Sequence, residues 1–174
     1  ALHNDSHAAI TLLAVEAAES MGFGRIVRDE QGRVSAIVEE AVASPEVLAI
    51  RELNCGVYCF DADWLWQRLP DVRPTPPKDE YYLTDMVALA VADELPISVL
   101  TISDVSEVLG INNRVQLAQA ERVMQQRVNE HWMLAGVTMI DPATTYIDAT
   151  VEIGQDTVIY PNSCLQGQTI VGRE

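Results

Sequence analysis

The stretch GFGRIVRDEQGRVSAIVEE, from Gly22 to Glu40, decides how the rest of the chain is read. It predicts a β-hairpin: a strand over Arg25–Arg28, a polar Asp29-Glu30-Gln31-Gly32 turn, and a second strand over Val34–Glu39. Glycine in the turn and β-branched residues on both sides are the usual hairpin signals. Gly22 and Gly24 bracket an aromatic just ahead of the first strand, so backbone groups there can approach a ligand with no side chain in the way. Glu39 ends a mostly apolar strand with a carboxylate, which when ionised only accepts hydrogen bonds. Glycine backbone facing an acceptor carboxylate suits a polyol. An ordinary hairpin with a solvated acidic end is the alternative.

The 174 residues are enough for one domain, or one domain and a small module. A hydrophobic content of 48% supports a real core, and 21% charged residues is normal for a globular chain. Net charge of −15 argues against nucleic-acid and anionic-membrane partners, because the long-range field would repel both. A nucleotide pocket in this chain would need a local cation, either a metal or arginines such as Arg25 and Arg28. No apolar run reaches the roughly 18 residues of a membrane span, and no basic, apolar leader opens the chain. Cys55, Cys59 and Cys164 are too few for a disulfide framework, which favours a reducing cytosol.

In chain order, residues 1–20 predict a strand centred on Ile10–Val15, and the abrupt opening implies a preceding portion of a domain. Residues 41–50 read as loop or short helix. Arg51–Phe60, RELNCGVYCF, alternates as a strand: Leu53, Cys55, Val57 and Cys59 form an apolar face expected in the core, and Asn54, Gly56, Tyr58 and Phe60 form the other. Asn54 can pair with another amide from that second face, or simply cap the strand end. With no second ligand pair nearby, Cys55 and Cys59 are not read as metal ligands. Asp61 is the expected N-cap of a helix through Leu69, with Trp64 and Trp66 as packing anchors. A Pro-rich loop (70–80) leads to EYYLTD and a helix over Asp85–Glu94 with Thr84 at its cap. Pro96–Ser103 reads as a buried strand. A turn at Gly110 sets Asn112 and Asn113 at the mouth of a long helix to about Leu134, roughly 30 Å at 1.5 Å per residue. Its apolar stripe is Val115, Ala118, Val123 and Val128. Beyond it, Ile147, Ile153, Ile159, Leu165 and Val171 recur every sixth residue, each of the first four followed four later by Val151, Thr157, Ser163 or Thr169. That period fits the hexapeptide repeat of a parallel β-helix, a fold that needs several stacked units.

GFGRIVR at 22–28, IVEE at 37–40, LNCGVY at 53–58, EYYLTD at 80–85, EVLGINNR at 107–114 and LAGVTMIDPATTYID at 134–148 together resemble one family. It is the bacterial bifunctional N-acetylglucosamine-1-phosphate uridyltransferase/glucosamine-1-phosphate acetyltransferase. The resemblance covers nearly the whole chain. It implies an α/β fold: the C-terminal part of a Rossmann-like nucleotidyltransferase domain (1–111), a linker helix (112–136), and the first coils of a left-handed parallel β-helix (137–174) that trimerises. It implies that the Gly24 backbone, Glu39 and Asn54 hold the N-acetylglucosamine moiety, with Tyr82 and Thr84 lining the sugar-phosphate pocket. Asn112 matches the family's metal-binding asparagine, for Mg²⁺. The implied substrates are UTP and N-acetylglucosamine-1-phosphate, with acetyl-CoA and glucosamine-1-phosphate for the acetyltransferase. The implied role is cell-wall precursor synthesis in the cytoplasm, as a homotrimer. The family's glycine-rich nucleotide loop, its aspartate metal partner and its later β-helix coils have no counterpart in these residues, so the chain alone is expected to be inactive in both reactions. A hexapeptide-repeat acyltransferase with a degenerate upstream domain, or a non-catalytic trimerisation module, is the alternative.

Overall fold

The computed structural model describes residues 2–75 and 79–173, so the Pro76–Lys78 part of the Pro-rich loop lies outside the described residues. The chain divides into two compact units, Ala1–Val108 and Leu109–Glu174.

The first unit is a five-stranded mixed sheet with helices packed on it. After a short helix α1 (Leu2–Ser6) come β1 (Ile10–Glu16), β2 (Gly24–Arg28), β3 (Val34–Val38), α2 (Pro45–Leu48), β4 (Glu52–Phe60), α3 (Ala62–Arg68), α4 (Asp85–Ala92) and β5 (Ile97–Ile102). The sheet order is β3-β2-β4-β1-β5; β1 and β5 run parallel and the other neighbours antiparallel. β1 is interior and apolar on both faces, the pattern of a strand covered on two sides. Ile10, Leu12, Ala14 and Val15 are all at most 1% exposed. One core cluster joins Ile10, Leu12 and Ala14 to Ile26 of β2 and to Met86, Val87 and Ala90 of α4.

The β2–β3 hairpin forms as its turn chemistry demands. Asp29 and Arg33 are bonded across the turn, the Asp29 carboxylate accepts the N–H groups of Gln31 and Arg33, and Gly32 takes φ +79°. β4 departs from simple pairing. Leu12 faces Tyr58 and Ala14 faces Asn54, so residues 55–57 stand opposite Leu13 alone, with Gly56 at φ +73° at the bulge. An even number of extra residues preserves the strand's parity, so the two predicted faces are grouped as expected. Their roles are reversed. Tyr58 and Phe60 pack on the helix-covered core, while Val57 and Cys59 are exposed and only Leu53 of the expected core face is fully buried.

Other expectations are also corrected. β5 ends the sheet and is half-buried rather than buried, with Leu100 49% exposed. Asp61 does cap α3, accepting the Trp64 N–H at 2.8 Å, and Trp64 packs on the core, but Trp66 is exposed. Thr84 occupies the cap position of α4 without capping it: its own backbone is already helical (φ −61°, ψ −21°), and the N–H groups of Met86 and Val87 bond to the Leu83 and Thr84 carbonyls.

In the second unit, Asn113 caps α5 (Arg114–Leu134) by accepting the N–H groups of Val115 and Gln116. Of the predicted stripe, Val115 and Ala118 are exposed; Val128 packs on the unit's core with Trp132. Asn129, 2% exposed, donates from Nδ2 to the carbonyls of Pro142 and Thr145 at 2.8 and 3.0 Å and ties the helix to the following turn. The hexads become two-residue strands: β6 (Thr138–Met139), β7 (Tyr146–Ile147), β8 (Glu152–Ile153), β9 (Val158–Ile159), β10 (Cys164–Leu165) and β11 (Ile170–Val171). They pair in parallel as β7–β10, β8–β11 and β6–β9. Ile147, Ile153 and Ile159 are buried together with Val151, and Leu165 and Val171 pack against them. Among the described residues no helix is long and apolar enough to cross a membrane.

Candidate functional site

Strand register brings three of the expected site residues together. Gly24 at the start of β2 lies opposite Asn54 of β4. The next residue, Arg25, lies opposite Val38 at the end of β3, which sets Glu39 beside Gly24. A Cβ on Gly24 would lie 3.2 Å from both Ile37 Cγ2 and the Val38 carbonyl oxygen, and 3.4 Å from Glu39 Oε2. The missing side chain therefore makes the space over which the carboxylate rests. Thr84 reaches the same carboxylate from α4: its hydroxyl donates to Glu39 Oε1 at 2.9 Å.

Asn54 and Thr84 are buried polar groups, 5% and 8% exposed. Such groups need partners. Asn54 finds them within the bulge, its Nδ2 donating to the Tyr58 hydroxyl at 2.7 Å and its Oδ1 accepting the Gly56 N–H at 3.3 Å. Burial pushes the Tyr58 phenol up to about 12. The nearby Glu39 carboxylate and Cys55 add to the rise, and the Asn54 hydrogen bond partly opposes it. Tyr82 donates to Glu80 Oε2 at 2.7 Å, which raises its own phenol, with burial and the carboxylates of Glu80, Glu39 and Asp85 adding to the rise. Burial likewise raises the Asp85 carboxyl. Tyr58 is the residue missed in the sequence; its signal was the Asn54-x-Gly56-x-Tyr58 spacing around a glycine on one face.

The two arginines considered as nucleotide cations are already matched. Arg25, 2% exposed, pairs with Glu40 at 2.9 Å and donates to the Phe23 carbonyl, and this bond, with help from Ser20, holds Glu40 below the usual carboxylate range. Arg28 grips Glu52 with two hydrogen bonds, at 2.7 and 2.5 Å.

Asn112 belongs to the second unit, exposed beside the α5 cap, with its backbone N–H donating to Gln116 Oε1 at 2.7 Å. Mg²⁺ wants about six oxygen ligands in octahedral array, and Asn112 offers one neutral oxygen. Among the described residues no group of three or more His, Cys, Asp or Glu could hold a metal. The residues present therefore do not by themselves fit the ion.

The arrangement offers a ligand an acceptor carboxylate and a carboxamide, beside a buried glycine on which the end of β3 packs. The chain is 48% identical over 170 residues to the bifunctional protein GlmU of Trichlorobacter lovleyi, covering 98% of this chain and 37% of that protein. It is 47% identical over 172 residues to the protein of the same name from Exiguobacterium sibiricum, covering 99% of this chain and 38% of that one. The bifunctional protein GlmU of Lactobacillus delbrueckii subsp. bulgaricus is 45% identical over all of this chain, which spans 38% of it. The chain thus spans well under half the length of the curated relatives it matches. No family model matches the chain.

Proposed function

On the premise that the chain belongs to the bifunctional GlmU family, we propose that its first unit is the sugar-binding half of a uridyltransferase. The whole enzyme would join UTP and N-acetylglucosamine-1-phosphate into UDP-N-acetylglucosamine and pyrophosphate in the cytoplasm, as a step of cell-wall precursor synthesis. The observation that carries this reading is the meeting of Gly24, Glu39, Asn54 and Thr84 from four separate segments.

Glu39 would accept sugar hydroxyl protons through Oε2, since Thr84 already occupies Oε1. Asn54 would present its remaining Nδ2 proton. Glu39 belongs at the sugar end, because a carboxylate would repel the phosphate. A phosphate monoester has a second pKa of about 6, so the nucleophile is already charged at neutral pH and no general base is required of this chain. What these residues supply is alignment of the attacking sugar-phosphate. Mg²⁺ would supply charge neutralisation in the whole enzyme, with Asn112 as one candidate ligand.

The second unit we read as the opening of a left-handed β-helix that trimerises and leads to the acetyltransferase, which acts on glucosamine-1-phosphate and acetyl-CoA. The parallel pairing of Tyr146–Ile147 with Cys164–Leu165, and of Glu152–Ile153 with Ile170–Val171, supports this.

In the full-length protein, Glu39→Ala and Asn54→Ala should each raise KM for N-acetylglucosamine-1-phosphate by about 10- to 100-fold, the worth of a buried polar contact. KM for UTP should stay near its parent value. An unchanged sugar-phosphate KM in both variants would remove these residues from the pocket.

A further inference from the structure

The Asn54 carboxamide has a donor end and an acceptor end, and the protein determines which one a ligand meets. Nδ2 is held by the Tyr58 hydroxyl at 2.7 Å and Oδ1 by the Gly56 N–H at 3.3 Å. Turned by 180°, the amide would set its NH₂ against the Gly56 N–H, donor against donor. Of the two locks, the Gly56 bond is at the long end of the normal range and the Tyr58 bond at the short end. The Gly56 N–H can only donate, so it decides which end of the amide faces it; the Tyr58 hydroxyl, which can donate or accept, holds the carboxamide in place by taking one of its two Nδ2 protons.

Both locks arise from the bulge. Because residues 55–57 stand opposite Leu13 alone, Asn54 and Tyr58 sit opposite Ala14 and Leu12, as near neighbours on one face despite being four apart in sequence. The Tyr58 ring cannot readily swing away. It packs on the core of the unit, tilted against Phe60 with ring centroids 5.5 Å apart. Burial and the Glu39 carboxylate keep its hydroxyl neutral at any physiological pH. It accepts from Asn54 through oxygen and retains its own proton.

We propose that Tyr58 is a positioning residue for the sugar site: by accepting one of the two Nδ2 protons of Asn54 it holds the carboxamide in place and leaves a single N–H donor to the ligand. This rests on the reading of the site as a sugar pocket. The residue touches the substrate only through Asn54, so its effect must vanish when Asn54 is gone.

The test is Tyr58→Phe in the full-length enzyme, alone and combined with Asn54→Ala. Alone it should raise KM for N-acetylglucosamine-1-phosphate roughly 3- to 10-fold, the worth of one neutral hydrogen bond, with kcat and KM for UTP unchanged. In the Asn54→Ala background it should change nothing further. If Tyr58→Phe leaves the sugar-phosphate KM alone while Asn54→Ala and Glu39→Ala raise it, the lock is refuted and the sugar pocket stands. If all three leave it alone, the pocket itself is refuted. An equal rise in both backgrounds, or a parallel rise in KM for UTP, means general loosening and overturns the proposal.

Discussion

Gly24→Ala tests the packing on which the site depends. Gly24 is buried, and its φ lies outside the left-handed region, so alanine can adopt the backbone; space alone decides the outcome. The new methyl would lie 3.2 Å from Ile37 Cγ2 and from the Val38 carbonyl oxygen, against about 3.5–4.0 Å at a comfortable contact. Ile37 can shift its side chain by a few tenths of an ångström. The Val38 carbonyl cannot, because Val38 is in the β2–β3 ladder opposite Arg25. Overpacking of this kind costs about 1–3 kcal/mol. Restricting the unfolded chain returns about 0.4–1 kcal/mol. The net is a loss of about 1–2 kcal/mol, which for an m-value of about 2 kcal/mol/M lowers the urea midpoint by roughly 0.5–1 M. Gly172→Ala is the internal control: nothing lies within 4 Å of its Cβ position and its φ is ordinary, so the midpoint should stay or rise slightly. A second readout follows from Glu39 Oε2 at 3.4 Å from the same methyl position. Pushing that carboxylate should raise the sugar-phosphate KM of the full-length enzyme. A Gly24→Ala chain as stable as the parent would mean that the end of β3 yields, and the account of a rigid glycine cradle would be wrong.

Thr84→Val keeps the side-chain shape but removes the donor to Glu39 Oε1. Because Glu39 is only half-buried, the loss should be about 1–2 kcal/mol by urea unfolding, at the lower end for a charged acceptor, and Thr84→Ser should recover it. Asn129→Ala strips a buried donor from the Pro142 and Thr145 carbonyls. Gln125 Nε2 still reaches both, at 3.4 and 2.8 Å, so the second unit should lose about 1–3 kcal/mol and not more; a neutral result would show that Gln125 suffices. Tyr58, raised from 10 to about 12, should be the last tyrosine to ionise in an absorbance titration, and Tyr58→Phe should delete that step. A raised folded-state value means that the native protein binds more protons than the unfolded one between about pH 10 and 12. The stability this residue contributes is thus complete below 10 and lost on rising through 12, and a parent and variant with the same alkaline unfolding profile would refute it.

What could be read from the sequence was whatever is decided by near neighbours. The hairpin was legible because Asp29 and Gly32 supply the turn's own hydrogen bonds and its left-handed residue. The hexads were legible because a fixed period survives any tertiary context, and the caps Asp61 and Asn113 because each bonds within three residues of itself. Thr84 fails the same test: its backbone is already helical and its hydroxyl donates to Glu39, 45 residues away, so a residue with a good cap side chain leaves its helix uncapped. ISVLTI reads as a buried run, but the sheet order puts it at an end, where the faces are less fully covered and Leu100 is 49% exposed.

The β4 error is the most instructive. Counting apolar residues favoured the face with Leu53, Cys55, Val57 and Cys59, since the other carried Asn54 and Gly56. In the fold, Asn54 shares a face with Tyr58 and Phe60, which pack on the core, and its burial is tolerated because Tyr58 and Gly56 satisfy its amide. A polar residue on a core face is costly unless it is bonded. Its placement there, with the bulge that supplies the bonds, is stronger ground for a binding role than an asparagine at a solvated strand end would be. The same bulge that misled the assignment of the core is therefore what holds the Asn54 amide in place.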